Sequence, residues 1–234
     1  MVEQNNPMSS KVLLLALVFS CLFANAQSQV SVNGGQNLQA LNGAPLTPEK
    51  VMELQGSYFF SDDFLPATLV DASGKEYKDK KIKFNLKSNI IYYTDWDGKL
   101  MQTTSDIRKL IITEPDKTTV FENFFPSIDG LDAGTYYKVI INGSAKLLLS
   151  TQFSEVEYKE FNSAVTTKRV DKVYQLYGAA NGSIKKLTKG EVELLELLKD
   201  KSSELAAFIK QNSLKCRKQS DYETVFNYYN GLKK

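Results

Sequence analysis

Tyr136-Tyr137-Lys138-Val139-Ile140-Ile141-Asn142-Gly143-Ser144-Ala145-Lys146-Leu147-Leu148-Leu149-Ser150 is the stretch that decides the fold. Two runs rich in β-branched, aromatic and aliphatic residues, 136–141 and 145–150, flank Asn142-Gly143. Asn-Gly is the strongest short hairpin signal, because a type I′ turn needs positive φ at both central residues. The stretch is therefore expected to be an antiparallel strand pair. Short connections of this kind, repeated along the chain, imply a mostly antiparallel β protein.

The same signals recur on both sides. Lys81-Ile82-Lys83-Phe84-Asn85-Leu86 alternates polar and apolar residues strictly, as a strand does when one face is wet and the other meets a core. Runs 57–60 and 67–70 come before it, and Asp71-Ala72-Ser73-Gly74 turns the chain back. Runs 89–94 and 99–104 flank Asp95-Trp96-Asp97-Gly98, and 109–113 and 118–121 follow. Towards the C-terminus come 155–161, 172–177 and 183–187, the last two joined through Asn181-Gly182. About ten or eleven strands result, forming a sandwich or an open barrel.

Beyond residue 187 the apolar period lengthens. Thr188-Lys189-Gly190-Glu191 has the form of a capping box, and Val192, Leu194, Leu195 and Leu198 then share one helical face. A second helix starts at Ser202 or Ser203 and carries Leu205, Phe208 and Ile209. Ser220-Asp221-Tyr222-Glu223 is a further capping box, leading to Val225, Phe226 and Tyr229, with Gly231 as the stop. Strands first and three short helices last make an α+β fold. The organisation is a leader over 1–26, a flexible, turn-rich lead-in over 27–54, an antiparallel β domain over 55–187 and a helical segment over 188–234 packed on it.

The leader reading rests on Lys11 before an apolar run from Val12 to Ala24, closed by the small-x-small sequence Ala24-Asn25-Ala26. That run is shorter than the roughly 20 apolar residues that span a bilayer. Cleavage between Ala26 and Gln27 is expected, and the protein is expected to be exported. Val18-Phe19-Ser20-Cys21 faintly resembles a bacterial lipobox, which makes lipidation at Cys21 the minority reading. No later segment is apolar enough to cross a membrane, so the mature chain is expected to lack a transmembrane segment.

Composition removes whole classes of chemistry. The chain has no histidine, the commonest general base near neutral pH and the commonest transition-metal ligand. Ser-His-Asp triads, Cys-His dyads and H-E-x-x-H zinc sites are therefore excluded. The 29 basic and 27 acidic residues are interleaved, without the concentrated basic face that nucleic acid requires. No phosphate-binding glycine loop is present, and no cofactor is nominated.

Among candidate sites, Asp95-Trp96-Asp97-Gly98 has the alternating carboxylates of a calcium loop but lacks the later bidentate acid, and reads as a hairpin turn. Glu155, Glu157 and Glu160 offer paired carboxylates of the kind that hydrolyse glycosides, although their alternation fits a solvated strand. Lys215 and Arg217 flank Cys216 and favour its thiolate. In an inter-helix loop without histidine it reads as an incidental thiol or half of an intermolecular disulfide. The chain holds 12 tyrosines and 13 phenylalanines, which fill a core or line an aromatic cleft. For the cleft, Tyr92, Tyr93, Trp96, Tyr136 and Tyr137 are nominated as a binding surface.

Further stretches to note are Ala24-Asn25-Ala26-Gln27, Gly56-Ser57-Tyr58, Lys83-Phe84-Asn85-Leu86 with Ile90-Ile91-Tyr92-Tyr93, Tyr136-Tyr137-Lys138-Val139 before Leu147-Leu148-Leu149, and Phe208-Ile209-Lys210-Gln211-Asn212 with Tyr228-Tyr229-Asn230. Together they resemble a broad group of exported Bacteroidetes proteins that have no assigned activity. The resemblance implies a Gram-negative periplasm or outer surface and transfers no functional residue. The resulting expectation is a non-enzymatic envelope protein that binds a ligand or partner through its β region. A carboxylate-dependent glycan hydrolase and a structural or assembly subunit paired through a sheet edge are the alternatives.

Overall fold

The computed structural model describes residues 52–233. The expected leader, the cleavage site at Ala26 and Gln27, the thiol of Cys21 and nearly all of the expected lead-in lie outside the described residues. Within them, eleven strands form one mixed, open sheet, followed by three helices. The α+β expectation holds, with a single sheet in place of a sandwich.

The strands are β1 (Met52–Gln55), β2 (Leu65–Asp71), β3 (Glu76–Asn85), β4 (Ile90–Thr94), β5 (Leu100–Gln102), β6 (Ile107–Thr113), β7 (Thr118–Glu122), β8 (Tyr137–Ile141), β9 (Ala145–Tyr158), β10 (Thr166–Ala180) and β11 (Ser183–Lys186). Their spatial order is β1-β10-β9-β8-β7-β6-β2-β3-β4-β5, with β11 paired to β10 beyond the end of β1. All pairings are antiparallel except β1 on β10. The helices are α1 (Val192–Leu197), α2 (Ser202–Gln211) and α3 (Gln219–Leu232).

Three expected elements come out differently. Residues 57–60 form no strand of their own, and Phe59 makes a single bridge to Asn85. Met52–Gln55, mostly within the expected lead-in, is a strand because the outer edge of β10 offers it a ladder. Runs 145–150 and 155–161 merge through Thr151-Gln152-Phe153-Ser154 into β9, which pairs continuously with β10 from Ala145↔Ala180 to Tyr158↔Thr167. Polar residues there mark exposure, not a turn.

The alternation in β3 is realised as read, with Ile82 and Phe84 buried among Ala67, Leu69, Ile91, Leu110, Ile112, Phe121 and Tyr136. A second core lies under the helices. On that face of the β9–β10 hairpin, Ala145, Leu147 and Ala180 meet Leu194, Leu198, Leu205, Val225 and Phe226. Gly178 completes it, since a Cβ there would stand 2.6 Å from Leu197 Cδ2 and 2.9 Å from Phe226 Cζ. On the opposite face Tyr137, Leu148, Tyr177 and Ala179 form a third cluster beneath Phe125, Ile128 and Leu131.

The helix starts follow different chemistry from the expected capping boxes. Thr188 Oγ1 bonds the Glu193 carboxylate, and no side chain caps α1. Asp221 accepts from the Arg217 amide, while the Ser220 carbonyl accepts from Thr224.

Candidate functional site

The sheet coils strongly. Four strands separate β9 from β3 in sheet order, yet Lys87, just after β3, is paired with Glu155 of β9. Residues 56–60 bridge this closing mouth. Tyr58 packs edge-on against Phe153 with ring centroids 5.2 Å apart, and Lys172 Nζ donates to the Phe59 carbonyl at 2.6 Å. Gly56 makes the crossing possible, because its φ is positive and any Cβ would fall 2.3 Å from the Val170 carbonyl oxygen.

Between this bridge and the helix-covered core lies a groove of about 350 Å³. Its floor is set by register. Phe121 of β7 stands opposite Lys138 of β8, Lys138 opposite Leu149 of β9, and Thr151 opposite Tyr174 of β10. Lys172 projects from the same face of β10, two residues before Tyr174. Phe60 and Leu86 wall one side, and Gln219 at the start of α3 reaches the other. The volume falls within the range of about 300–1,000 Å³ usual for small-ligand sites.

Charge distinguishes this groove. Among the described residues neither Lys138 nor Lys172 has a carboxylate within salt-bridge distance. Burial pushes the Lys172 pKa down, with Asp62 opposing the shift. An anion arriving beside it would offset that cost by favouring the charged form. Apolar rings next to two cations suit a ligand that is part hydrocarbon or aromatic and part acid.

The nominated aromatic residues do not form one surface. Tyr92 and Tyr93 lie on opposite faces of β4, with Tyr92 against Phe59 at a centroid distance of 6.1 Å. Tyr93 borders a separate cavity of about 260 Å³ with Leu69, Tyr77 and Ile107. Trp96 is 92% exposed at the tip of its hairpin. There Asp95 Oδ1 accepts from the amides of Asp97 and Lys99, which makes the loop a hydrogen-bonded turn. Tyr136 is buried in the β2–β7 core with its hydroxyl on the Ile107 carbonyl, and Tyr137 is buried in the cluster with Tyr177. Adjacent aromatics on a strand point to opposite faces, so each pair is split.

The carboxylates and the thiol also find definite roles. Glu155 is held between Lys87 and Lys168, the latter at 2.6 Å. Hydrogen bonds from Lys168, Lys87 and Tyr58 lower its pKa to about 2. A general acid needs a raised pKa, so Glu155 is placed to hold strands together and not to donate a proton. Cys216 is 1% exposed, and burial raises its pKa to about 11. Its charged sequence neighbours do not favour the thiolate here, and an intermolecular disulfide has no access to it.

No group of three or more His, Cys, Asp or Glu residues able to hold a metal ion occurs among the described residues. No helix among them is long and apolar enough to cross a membrane. Lys138, Lys172 and Tyr174 carry no sequence signal of their own, because only the coiling of the sheet brings the closing wall over them. No protein-family model matches the chain, and no curated protein or solved structure matches it.

Proposed function

We propose that this chain is an exported, non-enzymatic protein of a Gram-negative envelope that binds an anionic, partly apolar ligand in the groove over β7–β10. The observation that carries the reading is the pairing of two lysines, neither neutralised by a carboxylate among the described residues, with Phe60, Phe121 and Tyr174 around one recess. Export is supported by Lys11, the apolar run 12–24 and Ala24-Asn25-Ala26. Binding without turnover is supported by the missing histidine and by a Glu155 carboxylate committed to two lysines.

Native mass spectrometry of the protein purified gently from its own envelope tests this reading. The wild type should carry a reproducible excess over the mass of residues 27–234, and Lys138→Gln/Lys172→Gln should lose it. An unchanged melting midpoint in the double variant shows that such a loss reports charge and not unfolding. A wild-type protein that flies at its bare mass under these conditions contradicts the proposal.

A further inference from the structure

Among the described residues, the outer edge of β10 is paired at both ends and open between them. β1 covers Thr166 to Arg169, and β11 covers Tyr177 to Ala180. Leu176 accepts through its carbonyl from the Leu187 amide, outside the sheet's β9 side. Backbone groups of alternate residues point to the same side of a strand, so the N–H and C=O of Lys172 and Tyr174 also face outwards. Gly56 closes against the Val170 carbonyl at one limit of the opening. What remains is a slot over residues 171–175, about 17 Å long at strand rise. Val173 and Tyr174 beside it are 47% and 59% exposed.

We propose that this slot takes an extended segment of a partner protein as an added strand, with an acidic side chain of that segment entering the groove beside Lys172. This deepens the reading above and rests on it, naming the ligand as peptide. Two observations select the occupant. Side chains of a strand placed in the slot alternate between faces, and those on the face of Lys172 and Tyr174 enter the groove, where Lys172 and Lys138 supply complementary charge. The slot also lies between β1 and β11, so a second copy, whose own β10 edge is flanked in the same way, does not fit it edge to edge. A single extended chain does.

The test is panning of a random twelve-residue peptide library displayed on phage, at low salt, against the full-length mature protein. Enriched peptides should carry Asp or Glu within alternating β-branched residues and should slow hydrogen exchange at the Lys172 and Tyr174 amides. Tyr174→Pro removes one outward N–H that Tyr174→Ala keeps, at a position where proline is tolerated, and should weaken binding about tenfold relative to Tyr174→Ala. Methylation of alternate amides in the same peptides should weaken it similarly, which keeps the test valid if the proline variant does not fold. Absence of enriched peptides, peptides that leave both amides unprotected, or a dimer abolished by Tyr174→Pro would overturn the inference. A mass excess from the envelope that survives Tyr174→Pro, without peptide enrichment, would leave the groove reading standing and remove only this one.

Discussion

One hairpin, β9–β10, has two different ends. At its base, Leu147 and Leu148 are fully buried on opposite faces, one under the helices and one beside Tyr137 and Tyr177. In its distal half, Val156 is 45% exposed, and Phe161 in the connecting loop is 95% exposed. There the strands are held by the ladder itself, by β1 and by the Lys87–Glu155–Lys168 cluster. Backbone pairing is continuous from one end to the other, so pairing does not distinguish the two ends. Stability is added where side chains on both faces leave water, because each buried aliphatic or aromatic side chain contributes about 1.5–3 kcal/mol.

The contrast can be broken most forcefully at the base. Phe226→Ala empties space between Gly178 and the helices, and should cost about 3–5 kcal/mol in urea unfolding. Phe161→Ala, an equal truncation at the distal tip, should leave the midpoint unchanged. A loss of similar size from both would remove the distinction.

Asn230→Ala comes next. The Asn230 side chain accepts from the Ala145 amide at 2.8 Å and donates to the Ala145 carbonyl at 2.9 Å, tying α3 to the start of β9. Removing both bonds at this half-buried site should cost about 1–3 kcal/mol. Thermal melting of the variant checks the size, and an unchanged midpoint would show that the tie does not matter.

Acid should act at the other end. Glu155 has its pKa lowered to about 2 by Lys168, Lys87 and Tyr58. A carboxylate whose folded pKa is depressed contributes stability above its unfolded value, and the contribution is lost as pH falls towards the folded value. As pH falls from about 4.5 to 2, amides 153–158 should therefore lose protection relative to their intrinsic exchange rates, while those near Leu147 and Gly178 keep theirs. Glu155→Gln should remove this acid-dependent step. An unchanged step in that variant would assign it elsewhere.

The smallest effect separates two tyrosines of one cluster. Tyr177 donates to Asp129 at 3.1 Å, whereas the buried Tyr137 hydroxyl has no partner among the described residues. Tyr177→Phe should cost about 1 kcal/mol, and Tyr137→Phe should be neutral or stabilising by up to about 1 kcal/mol. The reverse order in chemical denaturation would show that the Tyr137 hydroxyl is satisfied in solution.

Much of this fold is local and therefore legible in sequence. The alternation of Lys81 to Leu86 placed Ile82 and Phe84 inside, and Asn181-Gly182 adopts the positive φ values of a type I′ turn, 51° and 74°. Asn142-Gly143 forms the expected hairpin for another reason. Neither residue has positive φ, and the glycine instead makes room for Asn230, which a Cβ would meet at 2.5 Å. That reason lies in a helix far along the chain, where no local rule reaches. Tyr136 and Tyr137 were recognisable as strand aromatics, but their assignment to separate cores depends on which elements cover each face. The groove was illegible for the same cause, since Lys138 and Lys172 come to line one recess only after the sheet has paired and coiled.

Native-state hydrogen exchange of the free protein, followed residue by residue in low denaturant, tests the graded hairpin most directly. The account predicts that amides of 147–149 and 176–178 exchange through global unfolding, with a strong denaturant dependence. Amides of 154–158 and 166–171 should exchange through local opening, with little dependence. One common free energy and one common slope along both strands would contradict it.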